Sequence, residues 1–529
     1  MIHEVIIVGT GPSGVASAMG FAENGIIPLI LDVGYEPAEN KRLEQNFFDF
    51  RKSNDSFNMM IGNNYEGLHN VINEKTIFPK LISPFMQFVV KDAEKLSPID
   101  ENGFMVTQSF AMGGLANAWG AGLYRCVDDE LKNIPFKPSE LSPYYDKLTK
   151  EIGISGDDDD LTPFFGSTEN LLTPLKLSKK AEKLYLKYKK KKTELNAKGM
   201  YIGRPRLGVL SQNYYNRRKC DYHNLELWLP NLPYIYNPSF TLTELIKNNK
   251  ALYEKSVLVK SWDREGKVII VHGENIRDGV PVSFKCKRLV LAAGTINSAK
   301  IVLKSKKDFK AKLPLYDNIH VQVPLIFPSF VGSKLETEAF GLTNLNAVFD
   351  FRRLNLRLQG SILELTFPAR SIFYEMFPFS AKDNLAFTRT FLPSLLVMLL
   401  YFPSSSENAG HVTLRSDDLL ETYGLPCKIN RNVIKKVTNT FLGLGVLTHH
   451  LLARYKPMGY TIHYAGTLPM VQNPRHNYQC NALGELHREP GIFIVDGSLF
   501  SYIPAKNITF TLMANAMRIA DHISKEIKT

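Results

Sequence analysis

The chain has 529 residues and is 44% hydrophobic, enough for roughly two to four domains of about 150 residues each. Its five cysteines are widely spaced and odd in number, which argues against a disulfide framework and predicts a reducing, cytoplasmic location. The net charge is +12, but no nucleic-acid-binding motif accompanies it, so a nucleic-acid partner is not expected. The opening residues lack the pattern of a secretory signal peptide, and none is expected.

The N-terminal segment predicts a βαβ unit. Residues 4–8 have the pattern of a buried strand, residues 13–24 that of a helix closed by Gly25, and residues 27–32 that of a second strand. The turn after the first strand is glycine-rich and consists of Gly9, Thr10, Gly11, Pro12, Ser13 and Gly14.

The spacing of these glycines is typical of a dinucleotide-binding turn. Gly9 permits the tight turn, Gly11 lets a pyrophosphate approach the backbone, and Gly14 allows close packing of helix on strand. The helix N-terminus at Ser13 supplies amide donors, and Asp32 can accept hydrogen bonds from ribose hydroxyls. The alternative is a βα turn that binds no phosphate.

The following part of the chain is less regular. Residues 34–100 show no sustained period and are predicted to form excursions over the cofactor, whereas 110–123 predict a glycine-rich loop with a helix. A capped helix is predicted to end at Ile152. The acidic run 157–160 and a lysine-rich helix within 174–199 are predicted to lie on the surface. The lysines form either a solvated helix face or a patch that attracts an anionic membrane surface or a phosphorylated substrate.

Two segments in the middle of the chain resemble further parts of a nucleotide site. Residues 256–272 alternate as two paired strands, and the backbone near Val259 is a candidate contact for an adenine ring. Residues 288–294 predict another buried strand, which ends in Ala293 and Gly294 before a helix. This segment is either part of the cofactor site or an ordinary buried strand with a helix cap.

The segment from 311 to 375 is strand-rich, and a further strand at 411–415 precedes a long helix near 431–453. The longest apolar stretch, 391–402, has about half of the ~20 residues that a membrane helix needs, so it is not expected to span a bilayer. It is either a buried helix or strand or an interfacial contact with lipid.

The C-terminal part carries two polar side chains of chemical interest. His463 lies in the segment 462–467, and Asn507 follows a predicted strand and turn at 493–498. A neutral imidazole, whose ordinary pKa is about 6.5, can take a proton from a hydroxyl, and an amide can orient the hydroxyl oxygen. The alternatives are a core imidazole bonded to the backbone for His463 and a helix cap for Asn507.

In this order, the motifs resemble the motif set of the glucose–methanol–choline (GMC) family of FAD-dependent oxidoreductases, including its bacterial sugar- and alcohol-oxidising members. The loop 112–120 is similar to that family's flavin-facing glycine loop. The resemblance covers roughly half of the chain, while 311–450 match only in type. The other matching motifs are the N-terminal glycine turn, Ala293-Gly294, His463 with Gly466-Thr467, and Asp496-Gly497-Ser498 with Asn507.

The resemblance implies an α/β fold, α+β overall, with a discontinuous Rossmann-like FAD-binding domain and an antiparallel-sheet substrate domain. Residues 1–310 would form the FAD-binding domain, with excursions at 34–100 and 155–240. Residues 311–455 would form the substrate-binding domain, and residues 456–529 would return to the FAD-binding domain.

By the same resemblance, His463 is the catalytic base and Asn507 is its partner on the substrate hydroxyl. No metal ligands are implied. The residues implied to bind FAD are Gly9, Gly11, Pro12, Ser13, Gly14, Asp32, Gly113, Gly114, Asn117, Ala118, Val259, Ala293, Gly294, Asp496, Gly497, Asn507 and Ile508.

Three departures from the family pattern refine these expectations. Asp32 stands where FAD enzymes more often carry Glu, which keeps the acceptor but shortens its reach. Ala118 stands where some sugar-oxidising relatives carry a flavin-linking His, so non-covalent FAD is expected. Cys220 is alone in a segment, 219–239, that is cysteine-rich in some bacterial relatives, so no metal cluster is expected.

The expected function is oxidation of a CH–OH group to a carbonyl, on a sugar, polyol or other alcohol, by a cytoplasmic alcohol dehydrogenase or oxidase. The electron acceptor is left open, as is peripheral contact with a membrane. Two alternatives remain: an FAD-dependent reductase or isomerase on the same fold, and a non-catalytic flavin-fold protein.

Overall fold

The structure is a computed structural model, and it describes residues 1–38, 45–53, 56–62, 79–131, 134–365, 379–416, 418–426 and 429–529. Parts of the predicted segments 34–100 and 311–375, together with Cys427, lie outside these residues. The strands are β1 (Ile2–Val8), β2 (Leu29–Asp32), β3 (Ile99–Asn102), β4 (Met200–Gly203), β5 (Leu252–Lys255), β6 (Val257–Glu265), β7 (Val268–Asn275), β8 (Pro281–Leu291), β9 (Leu313–Leu315), β10 (Ile319–Ile326), β11 (Thr343–Phe351), β12 (Leu356–Glu364), β13 (Leu395–Phe402), β14 (Gly410–Leu414), β15 (Leu420–Tyr423), β16 (Arg454–Tyr455) and β17 (Ile492–Ile494).

The longer helices alternate with these strands along the chain. They are α1 (Pro12–Glu23), α2 (Ser142–Ile152), α3 (Lys179–Ala197), α4 (Pro238–Lys247), α5 (Thr295–Ser305), α6 (Ala381–Phe391), α7 (Arg431–Leu442) and α8 (Thr509–Lys528). Short α-helical segments occur at Phe47–Phe50, Ser56–Ile61, Ala93–Leu96 and Thr162–Phe165.

A seven-stranded sheet contains the predicted βαβ unit. Its order is β5-β2-β1-β8-β7-β6, with β17 alongside the C-terminal end of β8. The strands β5, β2, β1, β8 and β17 are parallel, and β7 and β6 add the predicted antiparallel hairpin. Because α1, α5 and α8 pack with this sheet in one core, β1 is buried over its apolar run from Val5 to Val8.

A six-stranded antiparallel sheet, in the order β16-β10-β13-β12-β11-β4, forms the second layer. Its side chains alternate between two faces, as strand geometry requires. Val321, Val323 and Leu400 belong to the face that packs on α3 and α7. The opposite face lines a large cavity.

The apolar stretch 391–402 is the end of α6 followed by β13, which lies between β10 and β12 in the six-stranded sheet. The buried interpretation of this stretch is therefore confirmed. Among the described residues, no helix combines the length and the apolar character needed to cross a membrane.

The sheets are interleaved in sequence. A four-stranded sheet of order β3-β15-β14-β9 shares the core of the seven-stranded sheet, although three of its strands fall within residues 311–455. Conversely, β4 comes from the excursion 155–240 and extends the six-stranded sheet by pairing with β11.

Two local predictions need correction. The helix predicted near 431–453 ends at Leu442, because the chain turns through Gly443 and then Gly445, whose φ is +64°. The lysine-rich helix α3 is only partly a surface element: Tyr188 is buried, and its hydroxyl donates to Asp160 at 2.5 Å. Asp160 also binds Lys192 at 2.5 Å, so the acidic and basic runs contact each other.

Candidate active site

The glycine turn after β1 has the geometry that its spacing predicts. Gly9 has φ +98°, and a Cβ there would lie 2.6 Å from the carbonyl oxygen of Ala292. A Cβ on Gly14 would lie 2.1 Å from the carbonyl oxygen of Gly9, whereas a Cβ on Gly11 would meet nothing within 4 Å. Gly9 and Gly14 are therefore needed for packing, while Gly11 leaves open space in front of the N-terminus of α1.

Asp32 closes β2 beside this turn. The Thr10 hydroxyl donates to its carboxyl group, and the same Thr10 oxygen accepts the backbone N–H of Gly113 at 3.0 Å. Burial raises the pKa of Asp32 to about 7. Thr10 therefore links the carboxyl group of Asp32, which lies in the cavity wall, to the loop that contains Gly113.

That loop contains a single 3₁₀ turn, Gly114–Asn117, where a helix is predicted. Asn117 supports the turn from behind: its Nδ2 donates to the carbonyl oxygens of Met112 at 3.0 Å and Gly114 at 2.7 Å. Its Oδ1 accepts from Asn237 Nδ2 at 2.7 Å. Asn117 therefore shapes the loop, and the cavity is lined by Gly114, Leu115, Ala116, Ala118, Trp119 and Gly120.

The strand end at Gly294 and the turn at Asp496 meet on the other side of the cavity. Gly294 has φ +81° and open space where a Cβ would be. The buried Asp496 accepts from Ser298 Oγ at 2.5 Å and from the backbone N–H of Ser498 at 3.0 Å. Burial raises the pKa of Asp496, and these hydrogen bonds act in the opposite direction. Its neighbour Gly497 has no room for a Cβ, which would lie 2.4 Å from the carbonyl oxygen of Tyr464.

The two predicted catalytic side chains meet at the cavity wall. Asn507 Nδ2 lies 3.2 Å from His463 Nε2, and both residues line the cavity. Asn507 precedes α8, but the helix N-cap is Ile508 and receives no side-chain hydrogen bond. The helix-cap interpretation of Asn507 is therefore wrong.

Asn318 fixes the tautomer of His463. The Asn318 Nδ2 donates to the carbonyl oxygens of Phe402 at 2.8 Å and Pro504 at 2.9 Å, so its Oδ1 must face the imidazole as an acceptor. That Oδ1 lies 2.8 Å from His463 Nδ1. In the neutral ring, Nδ1 therefore carries the hydrogen, and the lone pair is on Nε2, toward Asn507.

The backbone before His463 is strained and held by one carboxylate. Ile462 has φ +64°, a left-handed conformation that β-branched residues rarely adopt. Asp317 accepts the backbone N–H groups of Gly459 at 2.9 Å and His463 at 3.0 Å, and it also accepts the hydroxyl of Thr461. Asp317 thus closes the loop that presents the imidazole.

Burial shifts the pKa values of both His463 and Asp317. The pKa of His463 is lowered to about 4 by burial, so its Nε2 is unprotonated at neutral pH. Burial raises the pKa of Asp317 to about 6, although four hydrogen bonds from three residues favour its charged form.

One continuous cavity of about 750 Å³ joins the glycine turn to His463. Gly14, Gly113, Asn117 and Ile508 lie outside its lining. The sequence-predicted residues that line it are Gly9, Gly11, Pro12, Ser13, Asp32, Gly114, Ala118, Val259, Ala293, Gly294, His463, Asp496, Gly497 and Asn507.

Several residues of the site were not predicted. Asp317 and Asn318 directly precede β10, and His320 and Gln322 line the cavity from that strand. The usable signal was the alternation of polar and apolar residues over 319–323, which indicates a strand with one polar face over that stretch. Gln108 also lines the cavity, and its Oε1 is buried without a hydrogen-bond partner in the described structure.

The described residues contain no cluster of three or more His, Cys, Asp or Glu side chains suited to a metal ion. The four described cysteines, including Cys220, are buried and unpaired.

No family model matches this chain, and no curated protein matches it by sequence. Similar solved structures include pyridoxine 4-oxidase from Mesorbium loti, at a TM-score of 0.60 and 13% identity over 98% of this chain and 99% of that one. An FAD-dependent oxidoreductase from Chaetomium thermophilum matches at a TM-score of 0.60 and 13% identity over 99% of this chain and 100% of the other. The chain therefore has the mixed α/β fold seen in these flavoprotein oxidoreductases, and the predicted fold class is confirmed.

Proposed function

We propose that this chain is an FAD-dependent oxidoreductase that oxidises a CH–OH group to a carbonyl, with His463 as the general base. The observation that carries the proposal is the His463–Asn507 pair, 3.2 Å apart, in the wall of the cavity that also contains the Gly9 turn. The resemblance to the GMC family and the oxidase named among the structural neighbours support the same reaction class.

The cradle fits non-covalent FAD. The open space at Gly11 and the N-terminus of α1 would receive the pyrophosphate, because amide donors and the helix dipole favour an anion there. Asp32 would accept ribose hydroxyls, since its only side-chain donor in the described structure is Thr10. Ala118 offers no nucleophile for a covalent link.

The chemistry divides between cofactor and protein. When bound, FAD would supply the two-electron acceptor, with flavin N5 available for the hydride that the carbinol C–H bond gives up. The hydroxyl O–H bond breaks as His463 Nε2 takes the proton, and the electron pair of that bond forms the carbonyl. Asn318 accepts from Nδ1–H throughout, so the ring keeps its orientation when it becomes charged.

Asn507 acts on the substrate oxygen. Its Nδ2 lies 3.2 Å from Nε2 of His463, so a substrate hydroxyl bound beside the pair would be within reach of both groups. The amide can donate to the oxygen while the imidazole accepts its proton, and Asn does not titrate in this range.

The test is anaerobic reduction of the bound flavin by a panel of alcohols, with His463→Ala and Asn507→Ala variants. Loss of the general base should slow flavin reduction by about 10²- to 10⁴-fold while FAD remains bound. Exposed His476, which lies outside the cavity lining, provides the matched control His476→Ala.

The outcomes separate the alternatives. Unchanged flavin reduction in His463→Ala would contradict the assigned base and favour a reductase or isomerase. Protein that takes up no FAD on reconstitution would favour the non-catalytic alternative.

A further inference from the structure

The cavity-facing side of the six-stranded sheet is ordered into rows by strand pairing. The β10–β13 register places His320 opposite Tyr401, and Gln322 opposite Leu399. The same register places Pro324 opposite Val397 and Ile326 opposite Leu395. The β12–β13 register adds Ser361 to the row of Leu399 and Leu363 to the row of Val397. We number these rows one to four, starting from Tyr401.

The first two rows contain the polar side chains of this surface, and the first row adjoins the base. The Tyr401 ring lies 5.5 Å from the His463 ring, centroid to centroid. His320 packs edge-on between Tyr401 at 5.1 Å and Tyr460 at 5.4 Å, and neither of its ring nitrogens has a hydrogen-bond partner in the described structure. His320 is 97% buried, so a ligand in the cavity is the available partner for these nitrogens.

The polarity of this end is stable over a wide pH range. Burial, together with nearby Lys456 and His463, lowers the pKa of His320 to about 3. The neutral ring offers one donor and one acceptor. Gln322 adds an amide in the second row, and its Nε2 reaches the Tyr460 hydroxyl only at 3.5 Å.

The third and fourth rows are apolar. Pro324, Val397 and Leu363 form the third row, and Ile326 and Leu395 form the fourth. The cavity lining at this end also includes Leu452 and, from α6, Phe387 and Phe391, whose rings stack at 4.4 Å.

Two charged side chains, those of Glu364 and Arg454, border this part of the cavity. Glu364, which borders the cavity, is paired with Lys180 at 2.6 Å and accepts from Ser178 Oγ at 2.6 Å. Arg454 is exposed and lies beside the second row, opposite Gln322 in the β10–β16 pairing. The cavity surface along this sheet, which we call the channel, therefore changes from polar, near the base, to apolar along rows three and four.

We propose that the substrate is an alcohol with a long apolar body, whose hydroxyl end reaches His463 and whose body lies along rows three and four. This inference rests on the proposed function and narrows its substrate class from alcohols in general. A sugar or polyol would bury hydroxyl groups against Pro324, Val397 and Leu395, where no side chain can hydrogen-bond to them. An apolar body is favoured there because its burial removes from water the apolar surface of both the ligand and the cavity wall.

Strand geometry sets the length of the channel. Each strand residue advances by about 3.4 Å, so the six steps from Tyr401 to Leu395 span about 20 Å. Over that length, each added methylene should raise kcat/KM by about three- to fourfold, the effect of burying one CH₂ group.

The experiment is anaerobic flavin reduction by a series of linear primary alcohols from ethanol to dodecanol, beside glucose, glycerol and sorbitol. We expect kcat/KM to rise by about three- to fourfold per methylene over the middle of the series and the polyols to react poorly. Reduction by polyols with no dependence on alkyl length would overturn the apolar channel while leaving the proposed function intact.

A binding measurement separates the two proposals. Linear carboxylic acids of the same lengths carry no oxidisable carbinol, and their binding is followed as a shift of the flavin absorption spectrum. Affinity that rises with chain length, in a protein that no alcohol reduces, would support the channel and refute the proposed oxidation. If the acids do not bind and no alcohol reduces the flavin, both proposals are overturned.

A matched pair of valine substitutions locates the channel. Val397→Phe adds bulk in the third row, so the chain-length optimum should move to shorter alcohols and shorter acids. Val280 is 52% exposed and lies outside the cavity lining, so Val280→Phe should leave the chain-length profile unchanged. Equal profiles for both variants would contradict the placement of the apolar body.

Discussion

The two walls of the cavity are built by different means. On the cofactor side, the wall is largely backbone: Gly9, Gly11 and Gly294 bring main-chain atoms to the surface, and a parallel strand and helix N-terminus position them. On the substrate side, the wall is made of side chains from β10, β12 and β13, whose strand register decides which of them share a row.

This difference in construction determines how each wall responds to amino-acid substitution. A backbone wall depends on a few positions where only glycine fits. An added methyl group clashes with the backbone at those positions and contacts no protein atom at the other glycines. A side-chain wall can be altered residue by residue without loss of the sheet, because opposite faces of each strand belong to different cores. The cofactor side should therefore show all-or-none mutational effects, and the substrate side graded ones.

The largest effect is expected at Gly14. A Cβ there would lie 2.1 Å from the carbonyl oxygen of Gly9, so Gly14→Ala should lower the free energy of unfolding of the apoprotein by about 3 kcal/mol. Denaturant unfolding of the apoprotein measures this loss. The matched variant Gly11→Ala should leave unfolding unchanged within about 0.5 kcal/mol, because its Cβ meets no protein atom, yet weaken FAD binding at least tenfold.

Equal destabilisation by the two alanines would remove the distinction between a packing glycine and a ligand-facing glycine. FAD binding by Gly11→Ala with wild-type affinity would instead place the pyrophosphate elsewhere.

The next largest effect concerns Asn318, which positions the base. Asn318→Leu removes the acceptor for His463 Nδ1–H, and flavin reduction should fall by about 10²-fold, the lower end of a general base's contribution. Asn318→Asp keeps an acceptor and adds a charge that raises the pKa of His463 above about 4, so the acid limb of the pH–rate profile should move to higher pH. A shared acid limb in wild type and Asn318→Asp would show that residue 318 has only a structural role.

A smaller effect is expected in FAD affinity as a function of pH. Burial raises the pKa of Asp32 to about 7, so the carboxyl group is protonated below that pH and loses acceptor capacity for ribose hydroxyls. Affinity should therefore fall by about tenfold between pH 8 and pH 6, since one pKa unit corresponds to a factor of ten. Titration of apoprotein with FAD measures this change, and in Asp32→Asn the affinity should be lower and independent of pH in this range.

The smallest expected effect is the change of kcat/KM with pH. Because burial lowers the pKa of His463 to about 4, Nε2 accepts protons equally well from about pH 5 to pH 8. The kcat/KM for the best alcohol should stay constant over this interval and fall only as the pH approaches 4. An acid limb centred near pH 6.5 would mean that the imidazole is solvated during catalysis.

The sequence predicted the cofactor wall better than the substrate wall for a physical reason. Gly9, Gly11, Gly14 and Asp32 fall within one βαβ unit, where local period and spacing determine their relative positions. Asn318 and His463 are 145 residues apart, and their contact depends on the packing of two segments that no local pattern relates. Alternation over 319–323 is typical of a strand with one polar face, but which strands lie beside it depends on the order of the sheet, which no local pattern predicts.

Errors at element ends have equally specific causes. The helix predicted near 431–453 ends at Leu442, where the chain turns through Gly443 and Gly445. The lysine-rich helix does lie at the surface, with Lys189 to Lys192 exposed, and its charge gave no sign of the other face, where Ala181, Leu184 and Tyr188 are buried.

The adjacent residues Asp317 and Asn318 serve two different partners from one extended dipeptide. Consecutive side chains of an extended chain project to opposite sides, which lets the first bind the loop before His463 and the second bind its ring. An insertion or deletion of a single residue just before Asp317 would place different side chains against the loop and the ring. A chimera that grafts a foreign substrate sheet onto this scaffold must therefore make its junction after residue 318 and keep that dipeptide with the C-terminal segment.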